Sequence, residues 1–269
     1  MPELPEVETT RRGIEPHIKH ETISAIVVRQ PKLRWPVPEA LQQLVGRKVD
    51  SVERRAKYLR LVTDAGEAII HLGMSGSLRV CDADALVEKH DHVDFCFGNG
   101  AVLRLRDPRR FGAVLMKDHR EVFPLFRKLG PEPLGDEFTV DTLFEASRNR
   151  KVTVKQLIMD GYVVVGVGNI YASESLFMSK INPKTQANKI SYQRYVRLTE
   201  SIKQVLARAI EKGGTTLKDF VSADGQTGYF QIELQVYGRE GEPCQVCKKP
   251  IKQISLGQRS TFYCGQCQR

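Results

Sequence analysis

The stretch HVDFCFGNGAVLRLRD, residues 92–107, decides how the first half of the chain is read. Two apolar runs meet across Gly98-Asn99-Gly100. Asn-Gly between such runs is the strongest short hairpin signal, because both central positions of the tight turn need positive φ. Alternate strand residues face opposite sides, so Leu103 and Leu105 are expected to pack inward while Arg104 and Arg106 point together. Around this hairpin, SAIVVRQ (24–30), KYLRLVTD (57–64), AIIHLGM (68–74) and GSLRV (76–80) are short, β-branched and partly alternating. The first half therefore reads as a β-sandwich or flattened barrel.

Upstream, MPELPEVETT opens a helix that caps this domain. Pro5 suits a first helical turn, and acids early with arginines late match the helix dipole. Downstream, LGPEPLGDEFT (129–139) is rich in Pro, Gly and acid, with residues 131–139 read as a linker. Beyond it the period lengthens. Val140 to Met159 and Ser191 to Lys212 are expected as helices, the second with Val196, Ile202, Val205, Leu206 and Ile210 along one face. From Tyr237 onward, short strands surround a cysteine cluster. The fold class is α+β, with domains expected at 1–130, 140–236 and 237–269.

In 269 residues, Lys+Arg exceeds Asp+Glu by 41 to 32, a net charge of +9 that favours a polyanionic partner. A hydrophobic fraction of 41% supports real cores and argues against wholesale disorder. No run of about eighteen apolar residues predicts a membrane span, and no basic-then-apolar leader opens the sequence. Of six cysteines, Cys81 and Cys96 stand alone and four crowd the C-terminal end. That distribution points to a reduced setting with one metal site rather than a disulfide framework.

Those four form Cys244-x2-Cys247-x16-Cys264-x2-Cys267. Each CxxC presents two thiolates and the spacer has the length of a β-hairpin, which predicts one closed tetrahedral zinc. Four thiolates leave no place for a reactive water, so the zinc is expected to be structural. The connecting hairpin displays Gln258-Arg259-Ser260, with Arg259 readable as plain surface charge.

GVGN at 166–169 is no dinucleotide fingerprint, because the third glycine position is Tyr171, and no Walker lysine follows. It leaves a Gly-rich turn entering the helix IYASESLFMSKI, with Asn169 as a candidate cap. Such a turn is either a seat for one phosphate or a tight helical joint. Basic residues cluster in RRAKYLR (54–60), LRLRDPRRFG (103–112) and RNRKVTVK (148–155). DPRRFG is a turn tipped by arginine and phenylalanine. It suits probing a base stack, or equally a solvated turn with Phe111 folded on the core.

Pro2 has no helical explanation. Removal of Met1 would expose a secondary amine, and an α-amino group has a pKa of about 7.7–8.0. Such an amine can form a Schiff base, and from a secondary amine the adduct is an iminium that carries charge without a proton. Glu3 beside it can move protons. An ordinary processed terminus is the plain alternative.

MPELPEVE, RRAKYL, HLGMSGSLR, DPRRFG, VGVGNIYASE, GGTTLKDF, ELQVYGR and the four-cysteine ribbon with QR-x-TFYC occur in order along the whole chain. Together they resemble bacterial formamidopyrimidine-DNA glycosylase. The resemblance implies an N-terminal β-sandwich, a helix–two-turn–helix domain and a zinc finger acting on damaged double-stranded DNA. It implies excision of oxidised purines, then β- and δ-elimination. By its motifs, Pro2 corresponds to the nucleophile at the sugar C1′, Glu3 to the general acid, Lys57 to a lysine of β-elimination and phosphate contact, and Arg259 to δ-elimination. His71, Asn169 and Arg259 fall where phosphates are gripped. His90, Arg109, Arg150, Lys155 and Tyr171 fall at DNA-contacting positions, with Arg150 where many relatives carry lysine. Met74, Arg109 and Phe111 correspond to the trio that fills the space of a flipped base. Thr215 to Tyr229 corresponds to the lesion-sensing loop.

The resemblance further implies a monomer in the bacterial cytoplasm, associated with the nucleoid, with one zinc ion and no nucleotide cofactor. Endonuclease VIII, which prefers oxidised pyrimidines, shares the Pro2 chemistry; Leu4, Val7 and the Met/Arg/Phe trio favour the purine enzyme. A non-catalytic zinc-ribbon DNA binder would leave Pro2, Glu3 and Lys57 unexplained.

Overall fold

The computed structural model describes residues 2–120, 122–213 and 234–269. The lesion-loop positions Thr215 to Tyr229 lie outside the described residues, as does Met1. Two compact units divide the chain: the first holds the strands up to Arg127, and the second runs from Lys128 to Lys212 and through the described C-terminal residues.

In the first unit, α1 (Leu4–Ile18) precedes eight strands, β1 (Ile23–Val28), β2 (Ser51–Arg55), β3 (Tyr58–Thr63), β4 (Gly66–His71), β5 (Ser77–Asp82), β6 (Asp91–Phe97), β7 (Ala101–Arg106) and β8 (Ala113–Lys117). They form two four-stranded antiparallel sheets, ordered β1-β6-β7-β5 and β2-β3-β4-β8. Ile26, Phe95 and Leu105 of one sheet and Leu59, Ile70 and Val114 of the other join Val7, Ile14 and Ile18 of α1 in one buried core. Each such side chain contributes about 1.5–3 kcal/mol when taken out of water.

The β6–β7 hairpin forms as expected, but its turn differs. Gly100 alone takes positive φ (+88°), and its N–H donates to the Phe97 carbonyl. The connection is a three-residue loop ending in a left-handed glycine rather than a two-residue turn. Such a loop needs positive φ only at its last residue, and the Asn99 side chain accepts from the Ala101 N–H and donates to the His17 carbonyl near the end of α1.

Leu103 and Leu105 are fully buried, as alternation requires. Arg104, however, is only 2% exposed: it grips both oxygens of Asp94 and donates to the Ala85 and Leu86 carbonyls. Arg106 pairs with Glu88. A buried guanidinium persists only when paired and hydrogen-bonded, so Arg104 serves the sheet.

The second unit contains α2 (Val140–Arg148), α3 (Val154–Ile158), α4 (Asn169–Met178), α5 (Tyr192–Glu211) and the hairpin β9 (Lys252–Leu256)–β10 (Arg259–Tyr263). The single helix expected over 140–159 is broken. Thr153 starts α3 as its N-cap, accepting from the Gln156 N–H, and the Arg148 guanidinium donates to the carbonyls of Ala187, Asn188 and Ile190. T-V-K-Q at 153–156 is the capping-box spacing that marks such a start. Ser191 and Lys212 cap α5, which buries Leu198, Ile202 and Leu206. Residues 131–139 are not a free tether, because Phe138 is fully buried in this unit's core.

Candidate active site and nucleic-acid interface

Glu3 is the N-cap of α1, and its carboxylate accepts from the Glu6 N–H. The Glu6 carboxylate returns the contact, accepting from the Glu3 N–H at 2.8 Å. Both glutamates are 3% exposed. This reciprocal cap satisfies two donors at the helix start and fixes the backbone to which the half-buried Pro2 is attached. Pro5 sits in the first turn, as its fixed φ allows.

Lys57 lies on the β2–β3 turn beside Ala56, a non-glycine residue at φ +54°. That left-handed conformation is held from below: Arg54 donates to the Ala56 carbonyl at 3.0 Å and to Glu8 of α1 at 3.1 Å. Burial raises the Glu8 carboxyl, but the guanidinium groups of Arg11, Arg12 and Arg54 outweigh it and hold Glu8 below the usual range. The Lys57 turn is thereby tied to the helix that carries Pro2 and Glu3.

His71 ends β4 and packs its ring 4.8 Å from that of Tyr58. Its Nδ1 accepts from the Gly73 N–H at 3.0 Å, so the neutral ring carries its proton on Nε2. Burial, with Arg34 and Lys57 nearby, lowers its pKa to about 4. At neutral pH, His71 is thus an uncharged donor, able to hold a phosphate oxygen through Nε2–H.

Met74 and Phe111 are exposed, at 37% and 45%, and the Arg109 guanidinium lies 4.8 Å over the Phe111 ring. Phe111 is not folded on the core. Exposed apolar side chains grouped with an arginine suit a surface that another molecule covers. His90 is half-buried at φ +78°, its ring 6.1 Å from that of His92.

In the second unit, α4 begins with Gly168 as N-cap, so Asn169 is the first helical residue and not the cap. The Asn169 side-chain oxygen accepts from Lys155 Nζ at 2.6 Å, and its nitrogen donates to the Ser260 carbonyl at 2.9 Å. Lys155 also donates to Thr261 Oγ1 at 2.7 Å and to the Ser260 carbonyl at 3.2 Å. Lys155 and Tyr171, both expected on DNA, are each 1% exposed. Lys155 supports Asn169 and the hairpin from beneath, while Tyr171 packs in the helical core. Arg150 is half-exposed and bridges to Asp160 at 2.5 Å. Arg259 stands exposed just after a tight turn in which Gly257 (φ +54°) and Gln258 (φ +60°) are both left-handed.

The sulfur ligand atoms of Cys244, Cys247, Cys264 and Cys267 lie within 4.8 Å of one another. The 244–267 and 247–264 pairs are at 3.9 and 3.4 Å, close to the edge of about 3.8 Å that four Zn–S bonds of ~2.3 Å would span. Burial and the neighbouring thiols push Cys267 up to about 12, a crowding that a bound dication reverses. Around this cluster a small core forms from Phe177, Val236, Ile251 and Phe262.

Sequence reasoning missed several supporting residues. Glu174 is buried, and its carboxylate accepts from the N–H groups of Gln235, Val236 and Tyr237 at 2.9–3.0 Å. Burial nonetheless raises its pKa. Glu8 with Arg54 and Asp107 with Ser75 were also unmarked, because nothing in local spacing announces a partner more than thirty residues away. Glu6 was legible in principle, three residues after Glu3.

Three family models match: the formamidopyrimidine-DNA glycosylase N-terminal domain over residues 1–114, its H2TH domain over 129–221, and a zinc finger found in FPG and IleRS over 241–269. The formamidopyrimidine-DNA glycosylase of Vibrio atlanticus is 57% identical, covering 100% of both chains. A Lactococcus lactis Fpg complexed with abasic-site DNA is 36% identical, covers 99% of each chain and superposes with a TM-score of 0.92. A mutant of that Fpg bound to Fapy-dG-containing DNA gives the same identity and TM-score over 100% of each chain. No helix among the described residues is long and apolar enough to cross a membrane. With the strand unit, the helical unit and the cysteine ribbon each matched by a family model and a relative 57% identical over the full length, the chain belongs to the formamidopyrimidine-DNA glycosylase family.

Proposed function

We propose that this chain is a bifunctional DNA glycosylase and AP lyase of base excision repair, acting on oxidised purines in duplex DNA. The observation that carries this reading is the doubly locked head of α1, where Glu3 and Glu6 cap each other directly behind Pro2. The Pro2 nitrogen attacks C1′ of the damaged nucleotide and the base departs. Glu3 takes the proton that the Pro2 amine sheds on bonding C1′ and delivers it to the sugar ring oxygen, the ring opens, and the C1′ iminium draws electrons from C2′. Loss of the C2′ proton then expels the 3′ phosphate, and a second elimination expels the 5′ phosphate. Lys57 serves the first elimination and Arg259 the second.

His71, Asn169 and Arg259 hold phosphates of the opened strand, and His90 adds a contact. Met74, Arg109 and Phe111 fill the space of the extruded base, with Arg109 addressing the widowed partner. Extruding a base costs a few kcal/mol, which these contacts offset. Arg150 and Tyr171 are secondary, since one is paired with Asp160 and the other buried. Residues 1–130 carry Pro2, Glu3 and Lys57, 131–139 connect, 140–236 bind DNA, and 237–269 form the finger, which presents Arg259 and holds a single structural zinc through Cys244, Cys247, Cys264 and Cys267. The protein works as a monomer on the nucleoid of the bacterial cytoplasm.

Borohydride trapping on a duplex carrying 8-oxoguanine opposite cytosine tests the reading. A covalent adduct mapped to Pro2 is expected; an adduct elsewhere, or none, overturns it. The same assay on an oxidised pyrimidine separates it from the endonuclease VIII alternative, which requires faster trapping there.

A further inference from the structure

Asp107 follows β7 directly, has no exposed surface, and gathers more donors than its turn requires. Asp before Pro commonly starts a turn, accepting from the N–H two residues on, and Asp107 Oδ1 does accept from Arg109 at 3.3 Å. That local role leaves two contacts unexplained. Ser75 Oγ, thirty-two positions upstream, donates to Oδ1 at 2.7 Å, and the Gly112 N–H donates to Oδ2 at 2.7 Å. The Arg109 N–H also reaches Ser75 Oγ, at 3.2 Å.

The topology explains why these groups meet. The β4–β5 connection, which carries Met74, and the β7–β8 connection, which carries Arg109 and Phe111, each pass from one sheet to the other. Because β4 pairs with β8 and β5 with β7, the two crossings run side by side. Their backbones touch: a Cβ on Gly73 would lie 2.4 Å from both Gly112 N and the Phe111 carbonyl carbon. Ser75 is one residue from Met74, and Arg109 is two from Asp107. A carboxylate at the junction therefore reaches both loops at once.

We propose that Asp107 is the positioning residue that makes Met74, Arg109 and Phe111 a single insert, so that the side chain on one loop cannot retreat without the two on the other. This inference rests on the function proposed above and adds a specificity device to it. An insert of this kind probes the extruded position and its partner base together, instead of by two independent fingers.

The test is a double-mutant cycle on excision of 8-oxoguanine opposite cytosine. In the wild-type background, Met74→Ala and Arg109→Ala should be coupled, the double variant losing at least tenfold less than the product of the single losses. In an Asp107→Asn background the losses should multiply, because an amide presents N–H where one carboxylate oxygen now accepts. Asp107→Asn alone should lower kcat/KM for excision at least tenfold, while cleavage at a preformed abasic site changes less than threefold. Ser75→Ala, which spares the carboxylate, should weaken the coupling in the same direction and decides the matter if Asp107→Asn does not fold. Coupling that persists in both backgrounds, or equal losses in excision and abasic-site cleavage, overturns the inference. Failure of the wild type to trap at Pro2 removes the functional reading instead.

Discussion

Lys155 donates its ammonium proton to the Asn169 side-chain oxygen over 2.6 Å, and that contact dictates which way the asparagine amide faces. Turned the other way, the amide would set N–H against N–H. A lysine that supports a phosphate ligand and a lysine that is one differ in salt dependence. For Lys155→Met, duplex affinity should fall about tenfold while the slope of log K against log salt stays within 0.3 of wild type. A direct phosphate contact would lower that slope by about 0.9. Fluorescence anisotropy between 50 and 200 mM salt distinguishes the two.

Glu6 has no expected place in the chemistry, yet it holds the Glu3 N–H. Glu6→Ala should cost about 0.5–2 kcal/mol of stability, the usual worth of a helix cap. It should slow borohydride trapping at Pro2 at least tenfold, with Glu6→Gln recovering most of the loss, since an amide oxygen can still accept. Equal trapping rates for the alanine and wild-type proteins would detach the cap from the reaction.

His71 makes stability depend on pH. Its pKa in the fold is near 4 against an ordinary 6.5, so the unfolded chain takes up the proton first. Its stabilising contribution is complete above pH 6.5 and is lost as pH falls from there toward 4, up to about 3 kcal/mol. His71→Gln should flatten this part of the urea-denaturation profile. Identical wild-type and variant profiles between pH 7 and 4.5 would contradict the assignment.

Removing zinc should open the small core of Phe177, Val236, Ile251 and Phe262, because Cys244 and Cys264 belong to that core and would lose the ion that joins them to Cys247 and Cys267. Chelation is expected to abolish duplex binding while the strand unit keeps its near-ultraviolet signature. Adding zinc back should restore binding. Undiminished affinity after verified metal loss would contradict this.

Local rules made much of this visible. Period-two runs found β1, β3, β4, β5, β6 and β7, and cysteine spacing located the finger. β2 and β8 escaped because SVERR is mostly charged and AVLMK is short, so neither shows an apolar alternation. Arg104 and Lys155 misled for the same physical reason: a basic residue in sequence carries no mark of whether a carboxylate, carbonyl or hydroxyl waits for it across the fold. Pro2 was legible as a residue without a helical role whose secondary amine could form an iminium, and local rules left an ordinary processed terminus as an equal reading.

Helix α4 carries Asn169 at its start, bonded to the Ser260 carbonyl on the hairpin, and Glu174 five residues on, bonded to the chain at 235–237 that leads into the ribbon. The finger is thus clamped to one helix at its entrance and again near its tip. In chimeras between relatives, the unit of exchange is α4 together with the finger; the ribbon alone would arrive with both clasps unmatched.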